Sequence, residues 1–236
     1  MHSLNNILFL DIETVPQYAS YELLPEDAKL FWNKKAEQIK KDKELDTPGS
    51  IYPRAGMYAE FGKIVCVSVG IICGNGKDKK LIIKSFCCEE EKILLADFCE
   101  LLKKWCGQEK VMCAHNGKEF DFPFLSRRML INDIPLPAML QLAGKKPWDI
   151  PHIDTMELWK FGDYKNYTTL NLLAFSFGVD TPKDDIDGSM VWKVYWTEQD
   201  LARIVTYCQK DVITVAQVYL RMQGESLVKV ENIEIK

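Results

Sequence analysis

The run Leu8-Phe9-Leu10-Asp11-Ile12-Glu13-Thr14 sets two carboxylates two residues apart at the end of an apolar segment that reads as a buried strand. Alternate side chains of an extended strand share a face, so Asp11 and Glu13 point the same way while Ile12 enters the opposite layer. Like charges held side by side repel, and a divalent cation between them is the usual remedy. The plainer alternative is a strand that runs out into a polar loop. The rest of the chain has to decide between the two.

With 236 residues, 47% hydrophobic and 27% charged, the chain can bury the core of one α/β domain spanning 1–236. Its formal charge of -4 argues against gripping a polyanion through a broad basic surface. Phosphate met through a bound metal is still open, because the cation supplies the local positive charge. Eight cysteines, at 66, 73, 87, 88, 99, 106, 113 and 208, lie mostly in apolar runs without a C-x-x-C pair. They read as reduced, buried thiols of a cytoplasmic protein. The start Met1-His2-Ser3-Leu4-Asn5-Asn6 lacks the pattern of a signal peptide, and no apolar stretch reaches membrane-spanning length, so no membrane contact is expected.

Residues 17–62 change character: a charged helix is predicted from about Pro25 to Lys43, followed by a segment punctuated by Pro48, Gly49, Pro53, Gly56 and Gly62. This reads as an insertion between strands and not as a core element. The β-branched run Lys63–Cys73, the turn Gly74-Asn75-Gly76 and the strand Lys80–Phe86 form a hairpin, making the first three strands an antiparallel or mixed group. Residues 89–106 carry Ile93, Leu94, Phe98, Leu101, Leu102 and Trp105 at helical spacing. A short strand Lys110–Ala114, the turn His115-Asn116-Gly117 and a helix from Asp121 to Leu130 follow, again placing a carboxylate at the rim of a sheet. Asp154 reads as the N-cap of a helix to about Phe161. Short helices are predicted over Thr169–Phe177 and Gly188–Tyr195, and a long one from Thr197 to about Arg221. Residues 225–236 read as an extended tail.

In that last helix Tyr207 and Asp211 are four residues apart and share a face. An apolar strand with Asp11 and Glu13, a strand-turn-helix with Asp121, and a late helix with Tyr207 and Asp211 are three separated segments in a definite order. In this the chain resembles the DEDD superfamily of 3′-5′ exonucleases on the ribonuclease H-like fold. The first motif is similar to D-x-E, here Asp11-Ile12-Glu13-Thr14. The second is similar to N-x-x-x-F-D, here Asn116-Gly117-Lys118-Glu119-Phe120-Asp121. The third is similar to Y-x-x-x-D, here Tyr207-Cys208-Gln209-Lys210-Asp211, the mark of the tyrosine subclass (DEDDy). Stand-alone exonucleases related to the proofreading domain of family-B DNA polymerases look most similar. The stretches His152-Ile153-Asp154-Thr155 and Asp187-Gly188-Ser189-Met190-Val191-Trp192 join the comparison. The long segment 17–62 departs from a minimal member.

The resemblance implies a mixed five-stranded sheet flanked by helices, its first three strands antiparallel. It implies two divalent cations, Mg²⁺ or Mn²⁺, held by Asp11, Glu13, Asp121 and Asp211; hard cations prefer oxygen ligands, which suits four carboxylates. Tyr207, with an ordinary pKa near 10, is a poor free base and is expected to orient the attacking water. Thr14, Val15, Asn116 and Phe120 are the expected substrate contacts. The implied partner is a nucleic-acid 3′ end, single-stranded DNA favoured over RNA, with a polymerase or repair partner left open. The alternatives are a noncatalytic nucleic-acid-binding or scaffold protein of the same fold, and an enzyme acting on RNA or small oligonucleotides.

Other residues read as structural: His115 as a hydrogen-bonded turn residue, His152 as no metal ligand, and Lys145 and Lys146 as a solvated loop. Trp192, Tyr195 and Trp196 read as packing for a short helix. Of the adjacent Arg127 and Arg128, at most one faces the site.

Overall fold

The computed structural model describes residues 2–42, 44–74, 76–163, 165–180 and 186–236. Its centre is β1 (Ile7–Pro16), paired antiparallel with β2 (Gly62–Cys73) and parallel with β4 (Val111–Ala114). Beyond β2 lies antiparallel β3 (Lys80–Cys87), and beyond β4 the short parallel β5 (Ile153–Asp154). The first three strands are antiparallel, as expected. The hairpin glycines Gly74 and Gly76 both adopt positive φ, at 81° and 59°; Asn75 between them lies outside the described residues.

The sheet has six strands, not five, in the order β5-β4-β1-β2-β3-β6. The segment expected to be an extended tail supplies β6 (Ile233–Ile235), which runs parallel to β3. Side chains far away in sequence pin it. Buried Lys79 binds Glu225 at 2.8 Å and the Ser226 carbonyl at 2.9 Å. The Gln217 amide brackets Val228, donating to its carbonyl and accepting from its N–H.

Strand alternation divides the core. Leu8, Leu10 and Ile12 pack with α2 (Glu91–Trp105) and α3 (Asp121–Ile131), through Leu94, Phe98, Phe122 and Leu125 among others. Ile7 and Phe9 pack on the other face against Val212, Val215, Ala216 and Leu220 of α7 (Leu201–Met222). Each such side chain taken fully from water contributes roughly 1.5–3 kcal/mol. Gly70 lets α7 close on the sheet: a Cβ there would sit 2.9 Å from Val212 Cγ1. Asp11 and Glu13 continue the Ile7–Phe9 parity and therefore lie on the α7 side.

Ahead of α7, α5 (Leu170–Ser176) falls where expected, α6 is the single turn Val191–Lys193 instead of Gly188–Tyr195, and two further helices begin or end elsewhere than expected. Instead of starting near Thr197, α7 follows a π-helical turn over Val194–Glu198, a left-handed Gln199, and Asp200, whose carboxylate caps the Arg203 N–H. The turn is held from outside, since Trp196 Nε1 donates to the Pro16 carbonyl at 3.0 Å. Within 17–61, α1 (Glu26–Ile39) stops short of Lys43, with Lys40 already extended. That connection builds a small core of its own from Trp32, Ala36, Ile51, Tyr52 and Ala55.

Candidate active site

Among the described residues, Asp11, Glu13 and Cys208 bring potential ligand atoms within 4.8 Å of one another. Asp11 and Glu13 arrive from β1 and Cys208 from α7. Directly after Glu13 the ladder carries a bulge: Glu13 faces Cys66 but Thr14 faces Ile64, so Val65 is an extra residue on β2. Burial pushes the Asp11 and Glu13 carboxyls well above the usual range, and the neighbouring carboxylates add to this: Glu13, Asp211 and Asp121 for Asp11, Asp211 and Asp121 for Glu13. Asp11 Oδ2 is buried without a hydrogen-bond partner among the described residues.

Asp121 opens α3 and is 4% exposed. Burial pushes its carboxyl up to about 8, with Asp154 and Asp211 as further anionic causes; N–H groups of Asp121 and Ile12 partly offset the rise. The loop that delivers it is tied down by Asp154, which accepts N–H bonds from Asn116 (2.9 Å) and Lys118 (3.0 Å) while capping α4 (Thr155–Lys160) through Met156 and Glu157. Asn116 sits at φ 61°, and a Cβ on Gly117 would fall 2.5 Å from Ala114 Cβ. Asp154 is thus an N-cap, as read from the sequence, and also the anchor of the loop before Asp121.

Tyr207 and Asp211 are both half-buried on α7. Burial, with the carboxylates of Asp211, Glu13 and Asp11 nearby, drives the Tyr207 pKa far upward. Cys208 is a neighbour that the motif reading counted only as core. Its thiol donates to the Asp11 backbone carbonyl at 3.4 Å, and burial keeps it protonated. Its place three residues before Asp211 on one helical face is the signal that would have found it.

Beside these acids opens a cleft of about 500 Å³ lined by Glu13, Thr14, Arg54, Met57, Phe120 and Trp192, among others. Thr14 and Phe120 are therefore at the cleft, although Thr14 Oγ1 is engaged by the Gly56 carbonyl at 2.8 Å and Phe120 also packs on Phe124. Val15 is wholly buried with Val65, Cys66 and Val191, so its side chain does not reach the cleft. Asn116 stands in the loop before α3 and is not among the cleft-lining residues.

A family model described as predicted 3′-5′ exonucleases related to the exonuclease domain of PolB matches residues 57–229. The chain belongs to this family. The match takes in Asn116–Asp121 and Tyr207–Asp211 and begins after Asp11 and Glu13, which β1 brings to them. The structure is similar to a family B DNA polymerase from the hyperthermophilic archaeon Pyrobaculum calidifontis, with TM-score 0.50 and 18% identity. The likeness covers 91% of this chain and 24% of that one, and it concerns the fold, a ribonuclease H-like α/β sheet flanked by helices. No curated protein matches.

As a member of this exonuclease family, the chain has a donor set that fits hard divalent cations. The Asp11 oxygen buried without a partner among the described residues, and the carboxyl pKa values raised by burial and mutual repulsion, fit a place for a cation. The neutral Cys208 thiol gives no reason to invoke a soft metal. The residues set aside as structural prove well occupied. His115 bonds Thr155 Oγ1 and the Thr168 carbonyl, both at 2.9 Å. His152 accepts from the Met112 N–H and donates to the Met139 carbonyl, and burial lowers its pKa to about 4. Arg128 is buried against Glu91, while Arg127 is exposed. No described helix is long and apolar enough to cross a membrane.

Proposed function

We propose that the protein is a two-metal-dependent 3′-5′ exonuclease releasing nucleoside monophosphates from the 3′ end of single-stranded nucleic acid, DNA before RNA, in the cytoplasm. The observation that carries this reading is the convergence of carboxylates from β1, α3 and α7 beside an open cleft, with one buried Asp11 oxygen unpartnered among the described residues. A noncatalytic scaffold has no physical reason to bury mutually repelling acids.

Asp11, Glu13, Asp121 and Asp211 would hold Mg²⁺ or Mn²⁺, which when bound supplies a nucleophilic water near neutral pH and a counter-charge for the leaving 3′ oxygen. Tyr207 stays protonated, because its surroundings raise its pKa, and its hydroxyl orients the attacking water beside Asp211. Phe120 offers its ring to a base, since stacking is sequence-tolerant. Thr14 borders the reacting end, Val15 takes part through its backbone alone, and Asn116 acts by shaping the loop that delivers Asp121.

The reading is tested by incubating 5′-labelled single-stranded DNA and RNA with the protein in Mg²⁺, Mn²⁺ or EDTA. Stepwise shortening from the 3′ end is expected with either metal and none in EDTA, and it should disappear in Asp11→Ala. Strands of both kinds left intact in every metal would sink the proposal. Shortening that survives Asp11→Ala would assign the activity to a contaminant.

A further inference from the structure

The connection 17–61 is seated on the catalytic strand and does not merely bridge β1 and β2. Trp32 fixes its interior, packing edge-on to Tyr52 and donating Nε1 to the Pro48 carbonyl at 2.8 Å. The 3₁₀ segment Tyr52–Met57 that follows lies directly against β1. A Cβ on Gly56 would meet the Val15 backbone at 3.0 Å, and one on Gly62 would meet the Gly56 carbonyl at 2.9 Å. Only glycine at both points allows so close an approach. The Thr14 hydroxyl, next to Glu13, closes the seam by donating to the Gly56 carbonyl.

This seating puts Arg54 and Met57 into the same cleft as Glu13 and Phe120. Arg54 is half-buried, and its Nη1 donates to the Ile39 carbonyl at the end of α1 at 2.9 Å, which holds the guanidinium in place before any ligand arrives. Met57 is 60% exposed, an unbranched apolar side chain presented to the cleft. Among the described lining residues Arg54 is the cation and Glu13 the anion. A cleft of about 500 Å³ lies in the range of about 300–1,000 Å³ that holds one small ligand, so it has room for a terminal nucleotide.

We propose that Arg54 and Met57 form a substrate-gripping wall, in which Arg54 binds a backbone phosphate next to the cut end and Met57 packs on the terminal base of a single strand. This rests on the exonuclease reading above. It makes 17–61 part of the substrate site, though the stretch matched by the family begins only at residue 57.

The test compares Arg54→Ala, Arg54→Lys and Met57→Ala with the wild type on 5′-labelled oligothymidylate in Mg²⁺, measuring kcat, KM and KM against salt. Arg54→Ala is expected to raise KM about tenfold or more. It should also flatten the slope of log KM against log salt by about 0.7, the share of one phosphate contact on a single strand. Arg54→Lys keeps the charge and should keep the slope, a rescue that a purely structural role at the Ile39 carbonyl would not produce. Met57→Ala removes an exposed side chain and carries the test if Arg54→Ala fails to fold. It should raise KM on the ordinary strand and leave KM unchanged on a strand ending in an abasic nucleotide. Folded variants with wild-type KM and salt slope overturn the wall while leaving the exonuclease reading intact. A wild-type protein that shortens no strand overturns both.

Discussion

Buried charge sits on both faces of the sheet, and the two clusters are built on opposite principles. On the α2–α3 face Glu91 receives Arg128 through Nε and Nη2, the Ile64 N–H at 2.7 Å and the Asn132 amide at 3.0 Å, while Arg128 Nη1 goes to the Ala59 carbonyl. Every charge there is answered within the fold. On the α7 face Asp11, Glu13 and Asp121 gather with Asp211, and among the described residues no ion pair reaches the first three. The chain neutralises a buried carboxylate with an arginine where it needs only structure. Where it gathers several carboxylates, the proposed function has divalent cations answer them.

The contrast breaks most readily by removing one charge from each cluster. Glu91→Gln strands Arg128 in the core and should cost about 3–5 kcal/mol. At about 2–4 °C per kcal/mol for a chain of this size, thermal denaturation will show it plainly. Asp121→Asn should instead lower kcat by about 10²–10³. Its metal-free Tm should hold or rise, because one of several repelling acids has gone. An Asp121→Asn protein that melts as early as Glu91→Gln would make the acids structural and erase the distinction.

Metal removal sharpens the same comparison. At a free concentration of 100 Kd a divalent ion stabilises the folded state by about 2.7 kcal/mol. Mg²⁺ or Mn²⁺ should therefore raise Tm, and EDTA should reverse the gain. The pH dependence follows from the raised pKa values. Between the ordinary aspartate pKa of about 3.9 and the Asp121 value of about 8, the native state holds protons that the unfolded chain has released. Stability of the metal-free protein must then fall as pH rises through that window. Bound metal takes over from those protons, so the gain in Tm should grow with pH. A metal-free Tm that climbs steadily from pH 4 to pH 8 would contradict the raised values. Glu91→Gln gives the control: its loss should be the same with metal or without.

These clusters also show what could be read from the chain alone. Asp11 and Glu13 were legible because strand alternation is local, and Tyr207 with Asp211 because helical spacing is local too. The Glu91–Arg128 pair was not: the two are 37 residues apart and meet only after α2 and α3 dock on the sheet. For the same reason β6 read as a tail, since three residues become a strand only by pairing with β3. The segment 17–62 read as peripheral because its glycines signal turns in sequence. At Gly56 and Gly62 they serve close backbone approach instead. The π-helical turn before α7 depends on Trp196 reaching Pro16, 180 residues away.

Tyr207 supplies the finest cut, because it is a neutral donor set among the acids. Burial and the nearby Asp211, Glu13 and Asp11 raise its pKa and favour the protonated hydroxyl. On the proposed reading it orients the water and leaves the proton to another group. An orienting hydroxyl is a neutral hydrogen bond, worth about 0.5–1.5 kcal/mol, so Tyr207→Phe should lower kcat by up to about tenfold. The rise in Tm on adding Mg²⁺ should survive, since the four carboxylates are intact. The pH–rate profile should keep its shape, because no titrating group has been lost. If the basic limb of that profile moves in Tyr207→Phe, the tyrosine does titrate and acts as a base. If kcat does not change at all, Tyr207 leaves the mechanism and the carboxylates alone must position the water.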